Sequence, residues 1–88
     1  MNNNELAQLA RDSATKAYAP YSDFRVGAAL ITKSGNVYTG CNVENASYPA
    51  TVCAEDVAVV KAISEGETEI ETIAVACIDA KSETALFP

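Results

Sequence analysis

Residues 51–78, TVCAEDVAVVKAISEGETEIETIAVACI, decide the fold. From about Val52 to Glu65, the residues Ala54, Val57, Ala58, Val59, Val60, Ala62 and Ile63 place apolar groups on nearly every side of a helix. That is the pattern of a buried helix. The polar run EGETE ends it, and Thr72 to Ile78 is almost wholly apolar, as in an interior strand. Upstream, VYTGCNVEN (37–45) reads as another strand. Strand, helix and strand together predict a β-α-β unit whose two strands run parallel.

Working outward, FRVGAALITK (24–33) alternates Phe24, Val26, Ala28 and Leu30 against Arg25, Gly27, Ala29 and Ile31. It reads as a strand with two largely buried faces, and SGN (34–36) turns it into a hairpin with the strand that follows. YAPYSD (18–23) and ASYPAT (46–51) are loops. From Asn4 to about Tyr18, Leu6, Leu9, Ala10, Ser13, Ala14 and Ala17 recur at helical spacing, with Asn3 or Asn4 as a cap and Pro20 beyond the end. The order helix, strand, strand, helix, strand predicts a single α/β domain over 1–88, layered helix–sheet–helix, with a mixed sheet. The final run AKSETALFP leaves Leu86 and Phe87 with no further element to bury them.

Bulk properties narrow the function. Apolar residues make up 49% of the 88 and charged residues 20%, the balance of a soluble globular domain. Twelve acidic against six basic residues give a net charge of −6, which disfavours nucleic-acid backbones and anionic membranes. No run approaches the length of a membrane span, and the polar start MNNNELAQLARD lacks the features of a secretory signal, so a cytoplasmic location is expected. Cys41, Cys53 and Cys77 are an odd number at no scaffold spacing and are read as reduced. Histidine is absent, so acid–base chemistry near neutral pH must come from a carboxylate, a thiol or a bound metal.

A buried helix has little room for charge, yet this one opens with Cys53, Glu55 and Asp56. The positive end of the helix dipole would lower the pKa of a thiol at Cys53. Apolar enclosure would raise that of Glu55, toward the range of a proton carrier. A thiolate and a tunable carboxyl suit a zinc-bound water and its proton acceptor. From these residues alone, the commoner reading of Cys53 is a small core residue and that of Glu55 a surface acid favoured by the dipole. Asn42 and Glu44, two apart at a strand end, face one side, either as ligands for hydroxyls or as plain polar residues.

Three separated blocks carry a resemblance: YAPYSDFRVGAALIT, GNVYTGCNVENASYPATVCAE and KAISEGE. Within them FRVGAAL, TGCNVENASY and CAE are the most specific. From about Leu6 to its last residue the sequence resembles the zinc-dependent cytidine deaminase family, in its small form with a cysteine as first ligand. The resemblance implies that Cys53 is a zinc thiolate and that Glu55 is the general acid/base. It implies that Phe24 packs on the pyrimidine, that Asn42 and Glu44 bind the ribose hydroxyls, and that the Ala54 backbone helps hold the base. It further implies a nucleoside substrate in pyrimidine salvage, zinc as cofactor and a homotetramer.

Two departures accompany it. The family takes two more zinc ligands from a Pro-Cys-x-x-Cys segment, whereas this sequence ends at Pro88, so one ligand of three is expected here, with the later strands and helix missing. Asp56 stands where the family typically has an arginine that bonds the zinc-bound sulfurs. A unit charge about 5 Å away at an effective dielectric near 20 is worth roughly 3 kcal/mol, and here its sign is reversed. Asp56 either points inward and repels the thiolates, or faces solvent, or meets Lys61 or Arg25. Three readings follow: a cytidine deaminase, a non-catalytic remnant that binds nucleoside or partner subunits, and a deaminase of another aminated heterocycle.

Overall fold

In the computed structural model, which describes residues 1–46, 51–79 and 84–87, six elements follow one another. They are α1 (Asn3–Ala14), β1 (Val26–Thr32), β2 (Val37–Cys41), α2 (Ala54–Ser64), β3 (Ile70–Cys77) and β4 (Thr84–Phe87). Helix α1 begins one residue earlier than its polar start suggested. Asn2 is the cap, accepting from the Glu5 amide at 2.8 Å while Glu5 accepts from the Asn2 amide at 3.1 Å. This reciprocal box satisfies two amides that a helix start otherwise leaves open.

The strands form one sheet in the order β2-β1-β3-β4. Gly27 pairs with Cys41 on one side of β1 and with Ala76 on the other, and β3 pairs with β4 from Ile73↔Phe87 to Ala76↔Thr84. Every ladder among the described residues is antiparallel. The expected mixed sheet is thus corrected in its pairing, though not in its directions. Both β2 and β3 run opposite to β1, so they are parallel to each other, but β1 lies between them. A crossover sets the direction of its two strands and leaves their separation open. The last residues also differ from expectation: 84–87 continue the sheet as β4.

The two faces of β1 explain the layers. Gly27 and Ala29 face α1, where Leu6 and Ala10 close a core with Ala74 and Ala76. Ala28 and Leu30 face α2, where Ala54, Ala58 and Ala62 form a stripe at four-residue spacing. Small residues dominate both interfaces, so the helix backbones lie close to the sheet. At Gly40, on β2, a side-chain carbon would sit 2.5 Å from the Ala54 carbonyl oxygen and 2.7 Å from the Ala58 amide. At Gly27 it would overlap the Ala10 carbonyl and the Ala14 amide.

Helix α2 is not buried all round, as its composition suggested. Only the alanine stripe is covered, while Val60 is 62% and Ile63 53% exposed. An apolar residue on every side tells which faces could be buried, and a single sheet covers only one of them.

Gly40→Ala is expected to destabilise the fold by about 1–3 kcal/mol, because backbone rather than a flexible side chain must give way. Val60→Ala, on the open face, should stay within about 0.5 kcal/mol of wild type. Denaturant unfolding of the two variants checks the contrast, and equal stabilities would refute it.

Candidate active site

Three segments meet at the end of β2. Strand β2 stops at Cys41, but the chain stays extended through Glu44: the Tyr18 amide donates to the Asn42 carbonyl at 3.0 Å and the Glu44 amide to the Tyr18 carbonyl at 2.8 Å. On the other side Val43 and Val52 exchange backbone hydrogen bonds of 3.0 and 2.9 Å. The loop before β1, the 42–44 stretch and the approach to α2 are thereby tied side by side. Gly40 then lets the start of α2 press onto the same corner.

A hollow of about 340 Å³ opens there, at the lower end of the range for small-ligand pockets. Phe24, Asn42, Glu44, Cys53, Ala54 and Glu55, the six residues singled out from the sequence, all line it. Ser22, Val26, Thr51 and Val52 complete the wall. A second hollow of about 360 Å³, bounded by Tyr21, Asn45 and Ala46, shares Ser22, Glu44 and Thr51 with the first.

Cys53 is the cap residue of α2, with extended backbone (φ −76°, ψ 152°), and its thiol makes no capping hydrogen bond. The first amides of α2 have no acceptor within the helix, and Ala54, 1% exposed, sits at their head. The expected lowering of the Cys53 pKa is not what the surroundings produce. Desolvation pushes it up, and the charges of Glu55 and Asp56 push it further. Loss of water around the thiol leads, and the two acids add to it. Glu55 is half-buried, and Asp56 faces solvent. Neither cation proposed for Asp56 meets it: Lys61 donates to the Thr39 carbonyl at 2.5 Å, and Arg25 forks onto Asp79 at 3.1 and 2.9 Å.

The polar side chains of the hollow hold the backbone around Phe24. Asn42 is 9% exposed; its Oδ1 accepts from the Val26 amide at 2.9 Å and its Nδ2 donates to the Phe24 carbonyl at 2.9 Å. Glu44 Oε1 accepts from the amides of Tyr21 at 2.9 Å and Ser22 at 3.0 Å, and the Ser22 hydroxyl donates to its Oε2. These donors, the Ser22 hydroxyl foremost, hold the Glu44 carboxyl below the usual range. Ser22 escaped the sequence reading. Its signal was the serine two residues ahead of Phe24 in YSDF, a residue type that bonds nearby backbone.

The donor set for a metal is partial. Among the described residues no three His, Cys, Asp or Glu side chains converge, and Cys41 and Cys77 end strands β2 and β3. A catalytic zinc takes three protein ligands and an open position. Cys53 is one candidate ligand, so the described residues do not complete such a site.

Residues 1–85 match the family described as the cytidine and deoxycytidylate deaminase zinc-binding region. A probable cytidine deaminase of Dictyostelium discoideum is 49% identical over 79 residues, 86% of this chain and 54% of that protein. The cytidine deaminase of Halalkalibacterium halodurans is 49% identical over 75 residues, 85% of this chain and 57% of that one. Among solved structures, a cytidine deaminase from Burkholderia pseudomallei superposes with a TM-score of 0.85 at 48% identity, over 88% of this chain and 62% of that chain. The chain spans about half the length of the curated relatives it matches.

Two outcomes test this geometry. The Cys53 thiol should alkylate more slowly at pH 8 than an unperturbed cysteine, and Asp56→Asn should speed it; equal rates in the two proteins would contradict the charge effect. Glu44, with its pKa depressed on folding, adds stability that is fully present above its ordinary value near 4.5 and is lost as pH falls through the lower folded value. The Tyr21 and Ser22 amide resonances should therefore shift with a midpoint below 4.5, and Glu44→Gln should remove that transition.

Proposed function

The chain belongs to the zinc-dependent cytidine deaminase family, and from that premise we propose that its protein hydrolyses cytidine or deoxycytidine to uridine or deoxyuridine and ammonia. One observation carries the proposal: the six residues expected to hold and convert the nucleoside line a single hollow of ligand size. Water adds at the ring carbon bearing the amino group, the bond to nitrogen breaks, and ammonia leaves. Both protons of the water must move, one to the ring nitrogen beside that carbon and one onto the departing amino nitrogen, which leaves the oxygen as the carbonyl of the product. Glu55, in the wall of the hollow, is the residue that would carry both. Phe24, half exposed at the hollow, offers an aromatic face to the pyrimidine, and the start of α2 at Ala54 offers amide donors. Glu44 and Asn42 present the remaining lone pairs and an N–H toward the sugar. Zinc supplies the activation of water in this chemistry, and Cys53 is the described residue that would ligate it.

A role in pyrimidine salvage, and with it a cytoplasmic location, suits the substrate class. A homo-oligomer, tetrameric by resemblance, suits the open apolar face of Val60 and Ile63. The partial ligand set favours a second reading for the 88 residues alone: nucleoside binding without turnover.

Turnover and metal content test both readings. The 88-residue chain should bind zinc weakly and release no uridine from cytidine. A form extended by a segment with two further cysteines should do both, and Glu55→Gln should lower its turnover at least a hundredfold or so while cytidine still binds. One tightly held zinc in the short chain, or an extended form that binds zinc but leaves cytidine untouched, would contradict the proposal.

A further inference from the structure

The geometry points to Ser22 as a positioning residue for nucleoside recognition, acting through Phe24; this rests on the reading of the hollow given above. Phe24 is 52% exposed, so packing does not fix its ring. Its backbone is held instead, from both sides. On one side the Phe24 amide donates to Ser22 Oγ at 3.1 Å, and that hydroxyl donates onward to Glu44 Oε2. On the other, the Phe24 carbonyl accepts from Asn42 Nδ2 at 2.9 Å. Between Ser22 and Phe24 lies Asp23 at φ 60°, in the left-handed region, where a side chain is uncommon and neighbouring bonds must hold the turn.

The Ser22 hydroxyl is the link in this chain of bonds. Without it, Glu44 still accepts from the Tyr21 and Ser22 amides but no longer reaches Phe24. Serine suits the position because one hydroxyl donates to the carboxylate and accepts from the amide at once, which alanine cannot do. An aromatic face ordered before the ligand arrives loses less freedom on binding than one ordered by it. Ser22 thereby acts on affinity through the Phe24 backbone that it holds.

The test titrates cytidine into the full chain by NMR, for wild type, Ser22→Ala, Ser22→Thr, Phe24→Ala and the Ser22→Ala/Phe24→Ala double variant. Ser22→Ala should weaken binding roughly three- to tenfold, the worth of one neutral hydrogen bond, and Ser22→Thr should restore it. Once Phe24 is alanine, Ser22→Ala should have no further effect, which a merely structural loss would not reproduce. Hydrogen exchange at the Phe24 amide should quicken in Ser22→Ala and slow again in Ser22→Thr. A loss of affinity that is equal with and without the Phe24 ring, or unchanged exchange, overturns the proposal. If wild type binds no cytidine, the nucleoside reading itself fails and this proposal falls with it.

Discussion

The contact between the start of α2 and Gly40 is the constraint on which the site depends. A helix lying on a sheet is normally kept off by a layer of side chains. Here the layer is absent at one point, and the Ala54 carbonyl and Ala58 amide come down onto the strand backbone. The alanine stripe 54, 58 and 62 continues that close seat along the helix. Gly27 does the same for α1 on the opposite face, so β1 and β2 are gripped from both sides. With α2 seated there, its first residues have one place to go: beside the 42–44 stretch and across from Phe24. The hollow follows from how closely two backbones can pass.

Electrostatics at that corner bear on the proposed role of Cys53 as a metal ligand. Desolvation first, and then the charges of Glu55 and Asp56, push the Cys53 thiol up, against the lowering that a helix start alone would give. A thiol held neutral to higher pH is a weaker ligand until a cation displaces its proton, since the thiolate is the form that coordinates. Asp56, turned to solvent and left unmatched by Arg25 or Lys61, contributes to this without sealing the hollow. The same corner tells against anionic ligands, since Glu44 and Glu55 both line it and, among the described residues, no lysine or arginine does. An uncharged nucleoside suits such walls better than its phosphate would.

Periodicity made much of this legible. The alternation from Val26 to Leu30 marked a strand buried on both faces, and the four buried residues 27–30 bear it out. The apolar run from Ala54 to Ile63 marked a helix, and the blocks around Phe24, Asn42, Glu44, Cys53 and Glu55 pointed to residues that the fold does bring together. Strand order was not legible, because a crossover fixes direction and leaves open that β1 lies between β2 and β3. Exposure of Val60 and Ile63 was not legible either, since a helix apolar on all sides does not show which side its own chain covers. Asn42 and Glu44 looked like ligand residues and turned out also to hold the Phe24 loop, through bonds to backbone that no side-chain pattern reveals. Ser22 was invisible for the same reason.

Chemical-shift mapping with cytidine on the isotopically labelled chain tests the central claim most directly. The account predicts amide shifts concentrated in residues 22–26, 42–44 and 52–55, with the hairpin turn at 33–36 and the loop after α2 undisturbed. Shifts centred on that turn, on α1 or on the outer face of α2, or no shifts at saturating nucleoside, would contradict it.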